Sequence, residues 1–239
     1  MSTITPYAGS AAARKEQVRD MFDSIAPRYD LLNHLLSAGI DRSWRRTLIR
    51  DLVRENPRRV LDIATGTGDL AISIARSGER SVTGADLSEG MLEKARAKIA
   101  AQGLDIELVH SDAEHLPFRE DTFDSVTVAF GIRNFDDPCG SLAEMRRVLR
   151  EGGTVYVLEF SKSDNNVLLG LFRIYFHNIL PFVGKMISKD KGAYKYLPES
   201  VELFPSGEEF AGMLCRAGFH GVTMKRLTGG IATIYKAVK

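Results

Sequence analysis

The segment LDIATGTGDLAISIAR, residues 61–76, joins an apolar strand pattern to a turn of small residues and then to an apolar helix pattern. Gly66 and Gly68, followed by Ala71, match G-x-G-x-x-A, a turn whose glycines let the backbone approach a bound nucleotide. Open α/β sheets bind ligands at the carboxyl ends of their strands, where this turn is expected to lie. The turn alone fits a nicotinamide or flavin dinucleotide, so a dehydrogenase is one interpretation of the chain.

The turn belongs to a longer alternation of strand and helix patterns. Strands are predicted at RVLDIA, SVTGAD, IELVHSD, SVTVAF and TVYVLEF, and helices at residues 70–76, 90–102 and 141–149. These strands are apolar on both faces, which is typical of parallel strands covered by helices on both sides. The alternation therefore predicts a doubly wound α/β fold.

The two ends of the chain depart from this alternation. Helical spacing over residues 15–57, interrupted at Pro27, predicts an N-terminal helical cap, which we place at residues 1–57. Residues 219–239 hold two strand patterns separated by a Gly-Gly pair, which predicts an antiparallel hairpin that completes a mostly parallel sheet of seven strands. The sheet domain is then residues 58–239.

Residues 161–204 form a long insertion before the hairpin, and they contain the apolar run VLLGLFRIYFHNILPFVG. A membrane-spanning helix needs about 20 apolar residues, and Arg173, His177 and Pro181 near the middle of the run argue against a span. Two interpretations stay open. The run is a helix packed on the core or over the active site, or it is a surface that admits an apolar substrate or touches a bilayer.

Composition limits the partners and the compartment. The chain has 32 basic and 31 acidic residues, so no overall field attracts nucleic acid, and we predict no nucleic-acid partner. Cys139 and Cys215 form neither a metal-binding spacing nor a disulfide framework, and the polar N-terminal segment has no secretory pattern. A cytoplasmic protein is predicted. His34 and His177 have no companion at a ligand spacing, so no metal site is predicted.

Three successive strand patterns end in or near an aspartate, namely Asp62, Asp86 and Asp112. Because the carboxyl ends of parallel strands meet at one edge, these acids are expected to surround one ligand. S-adenosylmethionine carries a sulfonium and an ammonium and no phosphate, so acids attract it where they would repel a dinucleotide. The alternative is that Asp86 and Asp112 only cap the helices that follow them.

The S-adenosylmethionine interpretation gives each residue around the turn a role. Asp86 accepts hydrogen bonds from both ribose hydroxyls, and Asp112 with the backbone near Ala113 meets the adenine edge. Asp62 faces the methionine ammonium, directly or through water. The backbone at Gly66, Thr67 and Gly68 approaches the ligand closely.

Six segments together resemble one family, the ubiquinone/menaquinone biosynthesis C-methyltransferases, within the class I methyltransferases. They are YDLLNHLLSAGIDRSW, ATGTGDL, AEHLPF, FGIRNF, RRVLREGGTVYVLEFS and YKYLPESV, and the resemblance runs from about residue 18 to the C-terminus. It implies a Rossmann-like class I fold and methyl transfer from S-adenosylmethionine to a ring carbon of a polyprenylated demethylmenaquinol, with the corresponding benzoquinol as a second acceptor. It further implies peripheral membrane contact, and leaves a homo-oligomer or a quinone-synthesis complex open.

The resemblance also directs attention to residues that would meet the quinol. Arg133 and Asn134 follow the fourth strand, beside the expected sulfonium position, and Arg133 is assigned to stabilising the phenolate or orienting a proton-accepting water. A salt bridge from Arg133 to Asp136 or Asp137 is the alternative. Tyr29 and Asn33, four residues apart, and Tyr194 in the insertion are candidates to close the substrate pocket, although core packing is the commoner role of such tyrosines.

Two other functions stay open from the sequence. One is a methyltransferase-fold scaffold subunit of a quinone-synthesis complex, and the other is a methyltransferase for a different small aromatic acceptor. Retention of Gly66, Gly68, Asp86 and Arg133 in one chain favours catalysis over the scaffold.

Overall fold

The computed structural model describes residues 4–7, 9–30, 39–162 and 191–239, apart from the side chains of Arg28 and residues 191–195. The helices of this part of the chain are α1 Arg14–Ile25, α2 Ile40–Val53, α3 Asp69–Ala75, α4 Glu89–Ala101, α5 Pro138–Val148, α6 Lys191–Leu203 and α7 Glu208–Arg216. The strands are β1 Arg59–Ile63, β2 Ser81–Asp86, β3 Glu107–His110, β4 Phe123–Ala129, β5 Leu149–Phe160, β6 His220–Leu227 and β7 Ala232–Val238.

The strands form one sheet in the order β3-β2-β1-β4-β5-β7-β6. Strands β1 to β5 are parallel, and β7 runs antiparallel between β5 and β6. The predicted seven-stranded, mostly parallel sheet with an antiparallel C-terminal hairpin is therefore confirmed. The order reverses between β1 and β4, which is where open α/β sheets form their ligand crevice.

Helices cover both faces of the sheet, as the apolar strand patterns predicted. On one face α2, α3 and α4 bury side chains such as Trp44, Leu48 and Ile99, and on the other α5 and α7 bury side chains such as Leu142 and Phe210. Helix α1 lies outside both layers and packs in a small separate cluster with α6. Helix α2, although it belongs to the predicted cap, contributes to the main core.

Several element boundaries differ from the sequence prediction. Strand β5 begins at Leu149, where a helix was predicted to end, because Leu149 pairs with Phe123 before the register shifts. Helix α5 begins earlier than predicted, at Pro138, because the Asp137 side chain accepts a hydrogen bond from the Cys139 amide and caps it. At Pro27 the helical run continues as a 3-10 turn, Ala26–Arg28.

Among the described residues, none of the helices is both long and apolar enough to cross a bilayer. The apolar run at residues 167–184 lies outside the described residues. The interpretations offered for it therefore stay predictions.

Candidate active site

The glycine loop, residues 64–68, turns the chain from β1 into α3. Ala64, Gly66 and Gly68 have φ angles of 52°, 56° and 82°, in the left-handed region that glycine adopts most readily. A Cβ atom placed on Gly66 would have the Tyr29 ring as its nearest neighbour, at 4.0 Å. The loop backbone at Gly66 is thus uncovered on its pocket side.

The second loop at this edge, residues 130–136, follows β4 and is called the β4 loop below. It touches the glycine loop at Gly131, where an added Cβ would lie 2.5 Å from the Cβ of Ala64. Real Cβ atoms do not approach so closely, so the contact requires glycine at this position. The Gly131 backbone of the β4 loop thus packs directly against the Ala64 side chain of the glycine loop.

A pocket opens between these loops at the carboxyl edge of β1 to β4. Of the residues predicted to bind ligand, the pocket is lined by Tyr29, Gly66, Asp86, Asp112, Ala113 and Asn134. Asp62, Thr67, Gly68 and Arg133 are not among its lining residues. The structure thus brings together most of the predicted cofactor residues and places Asp62 and Arg133 one layer behind them.

Asp86 ends β2 and supports the glycine loop. One carboxylate oxygen accepts a hydrogen bond from the Gly66 amide at 2.7 Å, and the other accepts one from the Ser88 amide at 2.9 Å. Burial raises the pKa of the Asp86 carboxyl, and these two backbone bonds oppose the rise. Each oxygen keeps a further lone pair for a ligand hydroxyl.

Asp112 lies just beyond β3 and is paired with the N-terminal helix. Its carboxylate contacts Lys15 Nζ at 2.7 Å and accepts the Glu114 amide at 3.0 Å. Burial acts to raise the pKa of Asp112, but the Glu114 amide and the Lys15 ammonium outweigh it and hold the pKa below its usual range. Lys15 also lies 2.7 Å from the Glu114 carboxylate.

The acidic side chains around Lys15 are relevant to the sequence prediction that the protein has no metal site. Within the described chain, ligand atoms of Asp112, Glu114 and His115 lie within 4.8 Å of one another. The Lys15 ammonium contacts both carboxylates and supplies the positive charge there. The absence of a metal stays a prediction.

Asp62 is almost completely buried in β1, with 1% of its surface exposed. Its two oxygens accept hydrogen bonds from the hydroxyls of Thr65 and Thr127, each at 2.7 Å. Burial raises the pKa of Asp62 to about 6, against the lowering effect of these two hydroxyls. Through Thr65 the carboxylate is joined to the glycine loop.

Thr67 and Lys98 tie the glycine loop to the chain before it. Thr67 Oγ1 donates to Asp30 at 2.5 Å, and Lys98 Nζ contacts Asp30 at 2.9 Å. Lys98 also forms an ion pair with Asp69, the first residue of α3. The side chain of Thr67, predicted at the cofactor, therefore bonds to the N-terminal segment.

Helix α1 forms part of the pocket wall and bonds to the loops around it. Asp23 accepts the Ser88 hydroxyl at 2.5 Å and the Gly90 amide at 3.0 Å, so it helps to cap α4. Arg14 donates to the Phe135 carbonyl at 2.9 Å in the β4 loop. The helix thus closes one side of the site and is held there by polar bonds.

Arg133 is buried in the β4 loop and is paired with a residue that the sequence analysis did not select. Its Nη1 lies 2.8 Å from Glu159 Oε1 and donates to the Phe130 carbonyl at 2.5 Å. The guanidinium also lies over the Phe160 ring, 5.5 Å from its centroid. The alternative salt bridge to Asp136 or Asp137 was wrong, because the partner of Arg133 is Glu159 on β5.

The other residues predicted to contact the methyl acceptor are Asn134, Tyr29, Asn33 and Tyr194, and the structure describes only some of them fully. Asn134 lines the pocket, and its Nδ2 makes a long 3.5 Å contact with the Phe130 carbonyl. Tyr29 lines the pocket with its ring edge against Phe22, at a centroid distance of 6.2 Å. Asn33 lies outside the described residues, and Tyr194 falls within α6 with its side chain outside them.

The pocket residues fit S-adenosylmethionine better than a dinucleotide. In a dinucleotide-binding loop, backbone amides face the pyrophosphate, whereas here the Gly66 amide donates to Asp86. Asp86 and Asp112 present carboxylate oxygens, which suit hydroxyl and amino donors, and Lys15 is already paired with Asp112 and Glu114. These acceptor oxygens thus suit a cationic nucleoside.

The sheet order, the glycine loop and the acid that ends β2 together define a class I S-adenosylmethionine-dependent methyltransferase. A solved S-adenosylmethionine-dependent methyltransferase from Thermotoga maritima, described as a possible histamine N-methyltransferase, shares the fold. It is 24% identical, has a TM-score of 0.66, and the match covers 93% of this chain and 99% of that one. The family model described as the ubiE/COQ5 methyltransferase family matches residues 10–239, and the chain belongs to this family.

Curated relatives match nearly the whole chain, among them proteins of Bacteroides fragilis and Geobacter sulfurreducens. The demethylmenaquinone methyltransferase of Bacteroides fragilis is 45% identical over 239 residues, covering 99% of this chain and 97% of the relative. The ubiquinone/menaquinone biosynthesis C-methyltransferase UbiE of Geobacter sulfurreducens is 47% identical over 228 residues, covering 94% of this chain and 89% of the relative. The family resemblance, the enzyme class and the cofactor predicted from the sequence are confirmed.

Sequence reasoning missed Glu159, Lys15 and Asp23. Glu159 had a signal, because it is a charged residue within the otherwise apolar strand pattern TVYVLEF and follows the strand-end acids of β1, β2 and β3. Lys15 and Asp23 had none, since they lie in an amphipathic helix where charged residues are ordinary.

Proposed function

We propose that this protein methylates a ring carbon of a polyprenylated demethylmenaquinol. The supporting observation is one continuous pocket that joins the acids ending β2 and β3 to the β4 loop, in a chain 45% identical to a demethylmenaquinone methyltransferase over nearly its full length. S-adenosylmethionine supplies an electrophilic methyl group there. The protein must then bind it, hold the quinol beside it, and make the ring carbon nucleophilic.

On the cofactor side, the roles follow the geometry of the pocket wall. Asp86 accepts hydrogen bonds from the ribose hydroxyls, and Asp112 with the Ala113 backbone meets the adenine edge. The negative charge of Asp62 attracts the methionine ammonium, with Thr65 or a water between the two groups. Gly66 allows close approach, while Gly68 and Thr67 hold the loop in shape by beginning α3 and by bonding to Asp30.

On the acceptor side, the β4 loop carries the charge that the reaction needs. A ring carbon beside a phenolic hydroxyl becomes a nucleophile when the hydroxyl loses its proton. The guanidinium of Arg133 carries the positive charge that stabilises the phenolate. Asn134 and Tyr29 line the pocket and position the quinol, and Asn33 and Tyr194 stay predicted contacts.

The test is a methyl-transfer assay under anaerobic conditions, which keep the acceptor reduced. The purified protein receives methyl-labelled S-adenosylmethionine and a short-tailed demethylmenaquinol, and the product is located by NMR. Label on the ring carbon is the expected result. Label on an oxygen, or label on histamine and none on the quinol when both acceptors are supplied, would contradict the proposal. Calorimetric titrations with S-adenosylmethionine and, separately, with NADH test the dinucleotide alternative.

The same assay with the corresponding benzoquinol compares the two acceptors that the relatives' names contain. We expect the naphthoquinol to be the better substrate. S-adenosylmethionine binding without methylation of either ring would favour the scaffold subunit or another small aromatic acceptor.

We also propose that the protein works at the inner face of the membrane, because its acceptor is dissolved there. The supporting feature is a surface groove between α2 and α3 lined by Arg46, Arg50, Arg54 and Arg76, called the arginine groove below. Of these, Arg46, Arg50 and Arg76 have no carboxylate partner within the described residues. Unpaired arginines at this spacing repel one another, and anionic lipid headgroups would neutralise them.

A further inference from the structure

Three side chains beside the pocket each bury a polar atom that has no hydrogen-bond partner in the described structure. They are Arg133 Nε, Asn134 Oδ1 and Glu159 Oε2. Buried polar atoms are rarely left unpaired, because the lost hydration is not replaced. Three in one place therefore indicate a polar group that binds there.

The three side chains belong to one cluster. Arg133 bonds both to Glu159 and to the Phe130 carbonyl, and Asn134 contacts the same carbonyl. Phe130 and Asn134 line the pocket, so the cluster is continuous with the position proposed for the quinol.

The unpaired atoms are one donor and two acceptors. A water molecule donates two hydrogen bonds and accepts two. Its donors would satisfy Glu159 Oε2 and Asn134 Oδ1, and its lone pairs would accept from Arg133 Nε and from one hydroxyl of the quinol. A water bound here would therefore link the cluster to the substrate.

The charges of the cluster indicate the role of this water in proton transfer. Glu159, 1% exposed, already neutralises Arg133 at 2.8 Å. A phenolate brought to Arg133 would place two negative charges beside one positive charge in a site with little water, which is costly. The cost disappears if Glu159 takes up the proton that the quinol gives away.

We propose that Glu159 is the proton acceptor of the reaction, acting through a water held by Arg133 and Asn134. The inference rests on the proposed function. The quinol O–H bond breaks and leaves its electron pair on oxygen, the water passes one proton on, and an O–H bond forms at Glu159 Oε2. The positive charge of Arg133 then compensates the phenolate, across the water, instead of a charged Glu159.

The same path runs in reverse after methylation. The methylated ring carbon loses its hydrogen as a proton to solvent, and the electron pair of that bond restores the aromatic ring. Glu159 returns its proton through the water to the ring oxygen. One proton is released in each cycle, and Glu159 is charged again.

The environment of Glu159 suits this role. Burial raises the pKa of its carboxyl, while Arg133 opposes the rise. Tyr196 and Tyr235 are the other titratable groups whose charge interacts with it. A buried carboxylate of raised pKa holds a proton more readily than one in water.

The first variant is Glu159→Gln, which keeps an oxygen for Arg133 and for the Phe160 amide but cannot take a proton. With the short-tailed quinol, we expect kcat to fall by about 10²- to 10⁴-fold and KM to change little. S-adenosylmethionine affinity, measured by calorimetry, should stay the same. The matched control is Glu144→Gln, which removes a carboxylate from an arginine pair on α5, away from the site.

The decisive measurement is how the loss of kcat in Glu159→Gln depends on the phenol pKa of the quinol. Quinols with electron-withdrawing substituents ionise without a base, so the ratio of wild-type to variant kcat should shrink as the phenol pKa falls, and should also shrink as pH rises. A ratio that is the same for every quinol and every pH means that Glu159 is structural, and it overturns the inference. Failure of the wild type to methylate any quinol overturns the proposed function instead.

A measurement on the wild type covers the case in which Glu159→Gln does not fold. Difference infrared spectra on binding an electron-poor quinol together with S-adenosylhomocysteine should show the carbonyl band of a protonated carboxyl group. That band should shift when glutamate is labelled with ¹³C. No such band, or a band unaffected by the label, overturns the inference.

Discussion

Asp62 is an ionisable residue whose burial makes the stability of the fold depend on pH. Its pKa is raised from 3.8 to about 6 in the folded protein, so the native state binds this proton more tightly than the unfolded chain does. The resulting stabilisation is fully present below about pH 4 and is lost as pH rises through 6. At pH 8 the protein therefore carries a buried charge that costs roughly 3 kcal/mol.

We predict that Asp62→Asn is more stable than the wild type at pH 8 by up to roughly 3 kcal/mol, and that the two are similar near pH 4. Urea unfolding at the two pH values measures the difference. A gain in unfolding free energy that is the same at both pH values would show that packing, and not the charge, is responsible. The variant should also bind S-adenosylmethionine more weakly at pH 8, since it lacks the charge assigned to the ammonium.

Asp86 combines loop support with the proposed ribose contact. For Asp86→Ala we predict at least about a 100-fold loss of S-adenosylmethionine affinity, because hydrogen bonds to a carboxylate contribute about 1.5–3 kcal/mol each. Calorimetric titration measures it, with circular dichroism to verify the fold. Asp105→Ala, an exposed acid before β3, is the control and should bind as the wild type does. Unchanged affinity in Asp86→Ala would remove the ribose assignment.

At the scale of elements, helix α2 has two different faces. Trp44, Leu48 and Leu52 are buried against the sheet, while Arg46 and Arg50 are exposed in the arginine groove. The helical spacing of the apolar residues was enough to predict the buried face. The groove could not be predicted from one helix, because Arg76 reaches it from α3, 26 residues after Arg50.

We predict that the triple variant Arg46→Gln, Arg50→Gln, Arg76→Gln loses binding to vesicles that contain phosphatidylglycerol. Each basic residue near an anionic surface contributes about 1 kcal/mol, so the loss should be on the order of 100-fold in cosedimentation. A control triple variant, Lys94→Gln, Arg119→Gln, Arg216→Gln, removes the same charge from other exposed positions. Equal losses in both, no sedimentation of the wild type, or tighter binding to duplex DNA would contradict the membrane assignment.

At the scale of the whole molecule, the fold was predictable because its signals are local. Apolar strand patterns and helix spacing gave the sheet and its covering helices, and the carboxyl edge of a parallel sheet then placed Gly66, Asp86 and Asp112 around one pocket. The partners of the buried charges were not predictable. Glu159 lies 26 residues from Arg133, and Lys15 lies 97 residues from Asp112. Pairings at such separations follow from the folded geometry and leave no periodic pattern in the sequence.

The contact between Gly131 and Ala64 connects the β4 loop directly to the glycine loop at the edge of the sheet. An added Cβ at Gly131 would lie 2.5 Å from Ala64 Cβ, so Gly131→Ala forces the two loops apart. We predict a loss of about 1–3 kcal/mol in unfolding free energy, as for other overpacked positions, together with weaker S-adenosylmethionine binding. The control is Gly212→Ala on α7, where the backbone is helical and an added Cβ would meet only the end of the Arg216 side chain, at 3.2 Å; it should leave binding intact. Normal binding in Gly131→Ala would show that the loops move independently.

The same contact limits how such an enzyme can change its substrate. A β4 loop reshaped to admit a bulkier ring would have to shift at Gly131, and the shift would also displace the glycine loop, which we have assigned to the methyl donor. New acceptor specificity is therefore more accessible through side-chain changes outside this contact, such as those on α1 that line the pocket. The main sheet can then stay constant while the outer helices diverge.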